Sequence, residues 1–326
     1  MRAGRITVST RVFEVLDVPT PNAGIGQVRI KVGAAGVCLS DVHFLEGILS
    51  PGYLVGDHVT LGHEVAGTID QIGAGVTSSA VGDRVIVIAG ERNDAAQITT
   101  MGFDYDGGWA EYVVTKAELV AKIPNSLSFE QAAIIPDAVS TPWAAITSTA
   151  NVQAGEKTAV FGVGGLGIHA VQLLKIIGAT VIAIDPREDA RVNALERGAD
   201  FAFAPDDPEL KKHRGLHVAF DFAGVSPVRK QALSMLGEQG RLVIVGIANE
   251  PIVIPSDMAF TYMRTQILGH YGCEPHHVTE LIELVASGRL DLSHSISEVL
   301  PLESAGEALD KLANKVGNPI RIVLKP

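Results

Sequence analysis

The chain has 326 residues with 47% hydrophobic and 19% charged residues, enough apolar material for a packed core and the opposite of a disordered composition. Its length suits about two domains. The formal net charge of −11 disfavours phosphate backbones and anionic membranes as partners, so neither nucleic acid nor membrane is expected. The apolar runs fall short of a membrane span, and Met1-Arg2-Ala3-Gly4-Arg5 leads into a strand-like segment rather than a signal peptide's apolar stretch. With cysteine only at 38 and 273, a disulfide framework is excluded and a cytoplasmic location is expected.

The first third reads as strands separated by turns. Arg5–Val8, Gln27–Val32, Arg84–Ile88 and Ala110–Thr115 are short β-branched or alternating runs, punctuated by Pro19-Thr20-Pro21-Asn22-Ala23-Gly24, Gly73-Ala74-Gly75 and Gly82-Asp83. After about Ser140 strands alternate with helices. Strands are expected at Thr158–Phe161, Val181–Ile184, Phe201–Ala204, His217–Phe222 and Arg241–Val245, with helices at Leu166–Ile177, Arg187–Arg197 and Pro227–Leu236. That alternation predicts a parallel sheet with helices on both faces, and its strands lack polar alternation because both faces are covered. A tail with helices at Val278–Ser287 and Ala305–Leu312 and strands at Glu298–Leu300 and Ile320–Leu324 lies outside this unit and is free to return to the first domain.

Phe161-Gly162-Val163-Gly164-Gly165-Leu166-Gly167 fits G-x-G-x-x-G between a predicted strand and a predicted helix, the context a dinucleotide turn requires. Gly162 permits the tight turn, Gly164 lets the backbone approach a pyrophosphate, and Gly167 lets helix and strand pack closely. Gly165 and Leu166 complete the turn, whose helix N-terminus favours phosphate. Asp185 ends the next strand at about the distance expected for a carboxylate that binds the adenosine ribose. It would repel a 2′-phosphate, so NAD is expected ahead of NADP. Arg187 and Arg191 lie close enough to qualify that preference. Val245 and Ile247, after a later strand, are further candidates for contacting the coenzyme.

Gly62-His63-Glu64-Val65-Ala66-Gly67, followed by Gly73 and Val76, resembles the signature of zinc-containing alcohol dehydrogenases of the medium-chain dehydrogenase/reductase superfamily. Gly36-Val37-Cys38-Leu39-Ser40-Asp41-Val42-His43 is similar to that family's first ligand loop, and Pro136-Asp137-Ala138-Val139-Ser140-Thr141-Pro142 to the segment carrying its third ligand. With the glycine turn in the right order, the resemblance covers essentially the whole chain. It implies an α/β chain: a GroES-like β-rich catalytic domain over residues 1–137, an inserted Rossmann domain with a doubly wound parallel sheet over 138–270, and a return to the catalytic domain over 271–326.

The resemblance also implies the site. Cys38, His63 and Asp137 would hold one catalytic Zn²⁺, a donor set that leaves a fourth position open. Family members place Cys or Glu as well as Asp at the third position. Asp41 would orient His63 from behind, and Glu64 is an alternative ligand or supporting partner. Ser40 would begin a proton relay and His43 would end it. Thr141 would touch the nicotinamide, and Trp143 either lines the substrate pocket or packs. Where classical members carry four cysteines and a structural zinc, Gly90–Gly108 has no cysteine, so a single zinc per subunit is expected. Leu39 stands where some members place a basic residue for the pyrophosphate. His270, His276 and His277 near Cys273 read as a polar loop rather than a second metal site.

The implied reaction is reversible oxidation of a small alcohol, preferentially secondary, to a ketone or aldehyde, in a cleft between the domains of a homodimer or homotetramer. The competing readings are a zinc-free NADPH quinone or enone reductase of the same superfamily and a non-catalytic nucleotide-binding protein on the same scaffold. Cys38 and His63 argue against the first, and the intact relay and coenzyme positions against the second. Loops at Gly47–His58 and Ala95–Tyr105 are expected to shape the pocket.

Overall fold

A computed structural model of the chain describes residues 1–92, 97–247 and 250–326. Ala95, at the start of the second expected pocket loop, lies outside the described residues. The chain divides into two compact units, Met1–Ala138 with Cys273–Pro326, and Val139–Gly272.

In chain order the first unit carries β1 (Arg2–Thr7), β2 (Val12–Asp17), β3 (Gln27–Val37), α1 (Leu39–Leu45), β4 (His58–Thr60), β5 (Val65–Ile72), β6 (Arg84–Val87), β7 (Gly90–Arg92), β8 (Ile98–Thr100), β9 (Tyr112–Lys116), β10 (Val120–Lys122) and α2 (Phe129–Ala133). The second unit carries α3 (Ser140–Ala144), β11 (Lys157–Phe161), α4 (Gly167–Ile177), β12 (Thr180–Ile184), α5 (Glu188–Glu196), β13 (Phe201–Phe203), β14 (Leu216–Asp221), α6 (Ser226–Met235), β15 (Leu236–Ile244), α7 (Asp257–Tyr262) and β16 (Gln266–Gly269). The chain then returns through α8 (Pro275–Ala286), β17 (Ile296–Pro301), α9 (Ala305–Ala313) and β18 (Arg321–Lys325).

The first unit is built on the sheet β10-β6-β5-β3-β18-β17, with β9 also on β3, and on the smaller sheet β2-β1-β4. Val28, Ile30 and Val32 alternate inward along β3 and join Ile6, Val65, Ile69, Val85, Trp109 and Ile322 in one apolar core. The C-terminal strand joins this sheet: β18 pairs antiparallel with β3, Ile322 opposite Val37. That pairing seats Arg321 beside the end of β3, from which the chain runs directly into Cys38.

The second unit is the expected doubly wound α/β layer. Its strands run parallel in the order β13-β12-β11-β14-β15-β16. β11 and β12 are buried along nearly their whole length, as strands covered on both faces must be. Ala159, Phe161, Ile182, Ile184, Ala219 and Leu242 fill the core. No helix among the described residues is long and apolar enough to cross a membrane.

One local reading changes. Leu39–Leu45, within the expected ligand loop, is a helix capped by Cys38, with Asp41 Oδ2 accepting from the Cys38 N–H at 2.9 Å. The segment around Asp137 is also helical, with π-helical turns at Ile135–Val139 and Ala145–Thr149. Proline removes a backbone donor and crowds the preceding turn. A widened turn accommodates Pro136 without ending the helical run.

Candidate active site

Three parts of the first unit converge. Cys38 sits at the mouth of β3 as the N-cap of α1, His63 lies in the turn before β5, and Asp137 lies in the π-helical turn. Cys38 Sγ is 3.3 Å from Asp137 Oδ2, and His63 Nε2 is 3.5 Å from the same oxygen. The three donor atoms all lie within 4.8 Å of one another. Donors held tetrahedrally on one zinc ion stand roughly 3.4–3.6 Å apart, given Zn–S and Zn–N/O bonds of about 2.3 and 2.1 Å. Thiolate, imidazole and carboxylate all ligate zinc, and the two anions match a divalent charge, so the residues present fit such an ion.

The local charges point the same way. Burial works against a charge on His63, yet the Asp41 carboxylate, with hydrogen bonding to Asp137 and Cys38, holds its pKa well above the ordinary value. Burial likewise opposes ionisation of Asp137, but His63 and Arg321 hold its carboxyl far below the usual range. The carboxylates around His63 and Asp137 thus make surroundings that favour positive charge.

Behind these donors stands a buried set of charges. Asp41 Oδ1 faces His63 Nδ1 at 3.5 Å while its other oxygen holds the Cys38 amide. Glu64, fully buried, accepts from Arg321 Nη2 at 2.7 Å and from the Ala138 N–H at 3.1 Å on one oxygen. Burial outweighs the Arg321 charge and pushes the Glu64 carboxyl up to about 8. Arg321 also donates to Asp137 Oδ2 at 3.4 Å and to Val37 O at 3.3 Å. Sequence reasoning missed Arg321. Its signal was a cation at the head of the apolar run Arg321-Ile322-Val323-Leu324, a position that demands a buried partner.

Ser40 Oγ lies 3.6 Å from Cys38 Sγ, and His43 follows three residues later on the same half-buried side of α1. Burial lowers the His43 pKa. Phe103, also unforeseen, packs 5.4 Å from the His63 ring and stacks on Phe44 at 5.1 Å, giving the histidine an apolar wall. In the cysteine-free stretch β7 and β8 pair antiparallel, and Asp104 accepts from the Gly52, Tyr53 and Thr100 amides at 2.9 Å each. Leu39 is exposed at the surface of α1.

In the second unit the glycine turn joins β11 to α4. Gly162 has φ +85°, and a Cβ on Gly167 would lie 1.9 Å from Gly162 O, so close packing requires glycine there. A Cβ on Gly164 would meet only Arg187 Nη2 at 3.9 Å, leaving an open cradle. Gly165 and Leu166 carry the chain into α4, with Leu166 as its N-cap. Asp185 Oδ2 accepts from the Val163 N–H of the turn at 2.9 Å. Arg187 folds onto the same carboxylate, Nε at 3.0 Å and Nη2 at 3.1 Å, and Arg191 donates to Asp185 O at 2.9 Å. Burial opposes ionisation of Asp185, but Arg187 and the Val163 amide keep its pKa low. An open turn beside an ionised carboxylate fits a dinucleotide. Val245 follows β15 and Ile247 is exposed beyond it, while Thr141 and Trp143 are buried in α3.

The histidines near Cys273 serve separate local tasks. His277 is buried, its Nδ1 accepting from the Glu274 N–H at 3.0 Å to cap α8, with His276 stacked against it. His270 Nδ1 lies 2.8 Å from Thr149 Oγ1.

Comparison with known proteins adds two family matches. Residues 24–125 match the alcohol dehydrogenase GroES-like domain and residues 165–287 the zinc-binding dehydrogenase domain. The chain is 31% identical to an alcohol dehydrogenase of Geobacillus stearothermophilus, covering 100% of this chain and 99% of that one. It is 28% identical to the sorbitol dehydrogenase of Bacillus subtilis, over 98% and 95% of the two chains. The crystal structure of 2R,3R-butanediol dehydrogenase from Bacillus subtilis superposes with a TM-score of 0.90 at 27% identity, over 100% and 99%.

Proposed function

The chain belongs to the zinc-type alcohol dehydrogenases of the medium-chain dehydrogenase/reductase superfamily, and from that premise we propose that it interconverts a small secondary alcohol and its ketone with NAD as coenzyme. The observation that carries this reading is the convergence of Cys38, His63 and Asp137 on one point from three remote stretches of chain.

In this reading those three side chains hold one zinc per subunit. Bound there, zinc contributes Lewis acidity toward an alcohol or carbonyl oxygen, and NAD contributes the hydride acceptor. The protein's own groups do the rest. Asp41 fixes Cys38 through its amide and faces the ring nitrogen of His63 that is not a donor to the metal, setting tautomer and orientation. Arg321 and Glu64 support Asp137 and the backbone after it. Phe103 and Phe44 keep water off the His63 ring. The Ser40 hydroxyl takes the alcohol proton as it gives up its own toward His43, which releases a proton to solvent, so each oxidation yields one proton outward and one hydride for the coenzyme.

The preference for NAD rests on Asp185. An ionised carboxylate next to the glycine turn accepts hydrogen bonds from ribose hydroxyls and repels a 2′-phosphate. Arg187 is neutralised against it. A homodimer or homotetramer is expected. Metal analysis combined with a screen of secondary alcohols, following NADH and NADPH formation with and without a chelator, tests the proposal. Bound zinc with chelator-sensitive, NAD-linked turnover supports it; turnover indifferent to chelation removes the metal assignment.

A further inference from the structure

The glycine turn and Asp185 account for one half of the parallel sheet and leave the other without a task. In a sheet of this strand order two mononucleotide halves meet where the order reverses, and the ligand lies beyond the carboxyl ends of the strands. Here the reversal falls between β11 and β14, so the carboxyl ends of β14 and β15 belong to the half opposite Asp185.

Two loops leave those ends, one through Ala223 and Gly224 and the other through Val245 and Gly246. They pack backbone against backbone: a Cβ on Gly246 would come 2.4 Å from Gly224 N. Gly246 N and Val245 N both donate to Asp221 O, at 2.7 and 3.0 Å. The side chains bind the same two loops. Asp221 Oδ1 accepts from the Ala223 N–H at 3.0 Å and the Gly224 N–H at 2.9 Å. Its Oδ2 accepts from Arg229 Nε at 2.9 Å, and Arg229 Nη2 donates on to Gly246 O at 3.1 Å. Asp221 is fully buried and Arg229 is 4% exposed.

A buried ion pair rarely stabilises a fold more than apolar side chains of the same volume would. This one instead fixes where one loop stands against the other. We propose that Asp221 and Arg229 form a latch that presets these two loops for the nicotinamide half of the coenzyme. Neither side chain touches the coenzyme; both are positioning residues. The latch spares the loops from being ordered at the moment of binding, so its effect falls on the whole dinucleotide and not on the AMP half that Asp185 serves. This inference rests on the coenzyme reading of the second unit.

Calorimetric titration of the full-length protein with AMP, NADH and NADPH tests it. The double variant Asp221→Asn/Arg229→Gln removes both charges together, avoiding an unpaired buried ion. Arg229→Lys keeps a cation for Asp221 but lacks the planar fork that donates to Asp221 and Gly246 O in two fixed directions. For both variants NADH affinity is expected to fall about tenfold or more, the scale of losing a charge-assisted hydrogen bond, with AMP affinity within about twofold of wild type. In wild type, hydrogen exchange at the Ala223, Gly224 and Gly246 amides is expected to be slow before any ligand is added. Parallel loss of AMP and NADH binding would mean a purely structural pair and overturn the latch. So would unchanged NADH affinity, or fast exchange at these amides in ligand-free wild type, a result that needs no variant to fold. If wild type binds none of the three ligands, the coenzyme reading fails and the latch with it. If wild type binds them and the variants follow it, only the latch fails.

Discussion

Arg321 Nη2 donates to Glu64 Oε1 at 2.7 Å across 257 residues of sequence, and neither side chain has more than 2% of its surface exposed. The pair ties the C-terminal strand to the turn that carries His63, and through Asp137 Oδ2 it touches the proposed zinc site itself. Replacing Arg321 with Met leaves Glu64 Oε1 and Asp137 Oδ2 without this buried donor, at a cost of about 1–3 kcal/mol. Adding Glu64→Gln to Arg321→Met is expected to recover most of that loss. Urea denaturation of the two variants against wild type checks this; a loss below about 1 kcal/mol for Arg321→Met would show that the pair is not coupled to the fold.

Asp185 carries the coenzyme preference. Asp185→Ala is expected to raise the KM for NAD about tenfold, as loss of a charged hydrogen-bond partner does, and to narrow the gap to NADP. Arg187→Ala should act oppositely on selectivity, because it exposes the carboxylate and removes the cation that a 2′-phosphate would use. Steady-state kinetics with both coenzymes measure each effect. A wild type that prefers NADPH would contradict the ribose argument.

His43 is expected to matter for proton release. His43→Ala should lower kcat near neutral pH by about tenfold or more and respond to added imidazole, which can carry the same proton. A histidine with no part in the relay would leave kcat and its response to imidazole at wild-type values.

Acid stability provides a test outside the site. Burial opposes ionisation of Asp200, but Lys175 Nζ at 2.8 Å and the Val181 N–H at 2.7 Å hold its pKa below the usual value. A carboxyl depressed in the folded state contributes stability that is fully present above its unfolded pKa of about 3.9. That contribution disappears as pH falls through the folded value. Asp200→Asn should therefore be less stable than wild type at pH 7, with the difference closing below pH ~4. Thermal melts across that range check the sign.

How much of this was legible in the sequence follows from where each constraint resides. The glycine turn and Asp185 were readable because the close approach of Gly167 to Gly162 O admits no other residue and the spacing is local. Cys38 and His63 came through a motif; spacing alone could not have joined residues so far apart. The α1 helix was hidden because cysteine is a poor N-cap, and Asp41 makes the cap from three residues on. Pro136 sits in a π-helical turn and Pro142 in α3, a helical course for this segment that its two prolines do not advertise. Arg321 was invisible because its role exists only once β18 pairs with β3. Asp221 falls in an expected covered strand, but its pairing with Arg229 exists only once α6 packs beside β14.

The central claim is that Cys38, His63 and Asp137 hold one zinc ion on which alcohol oxidation depends. Metal content and NAD-linked turnover measured together on wild type and Cys38→Ser test it most directly. Wild type is expected to hold about one zinc per chain, and the variant to lose most metal and turnover while NADH binding stays near the wild-type value. A Cys38→Ser protein that turns over secondary alcohols at the wild-type rate would contradict it.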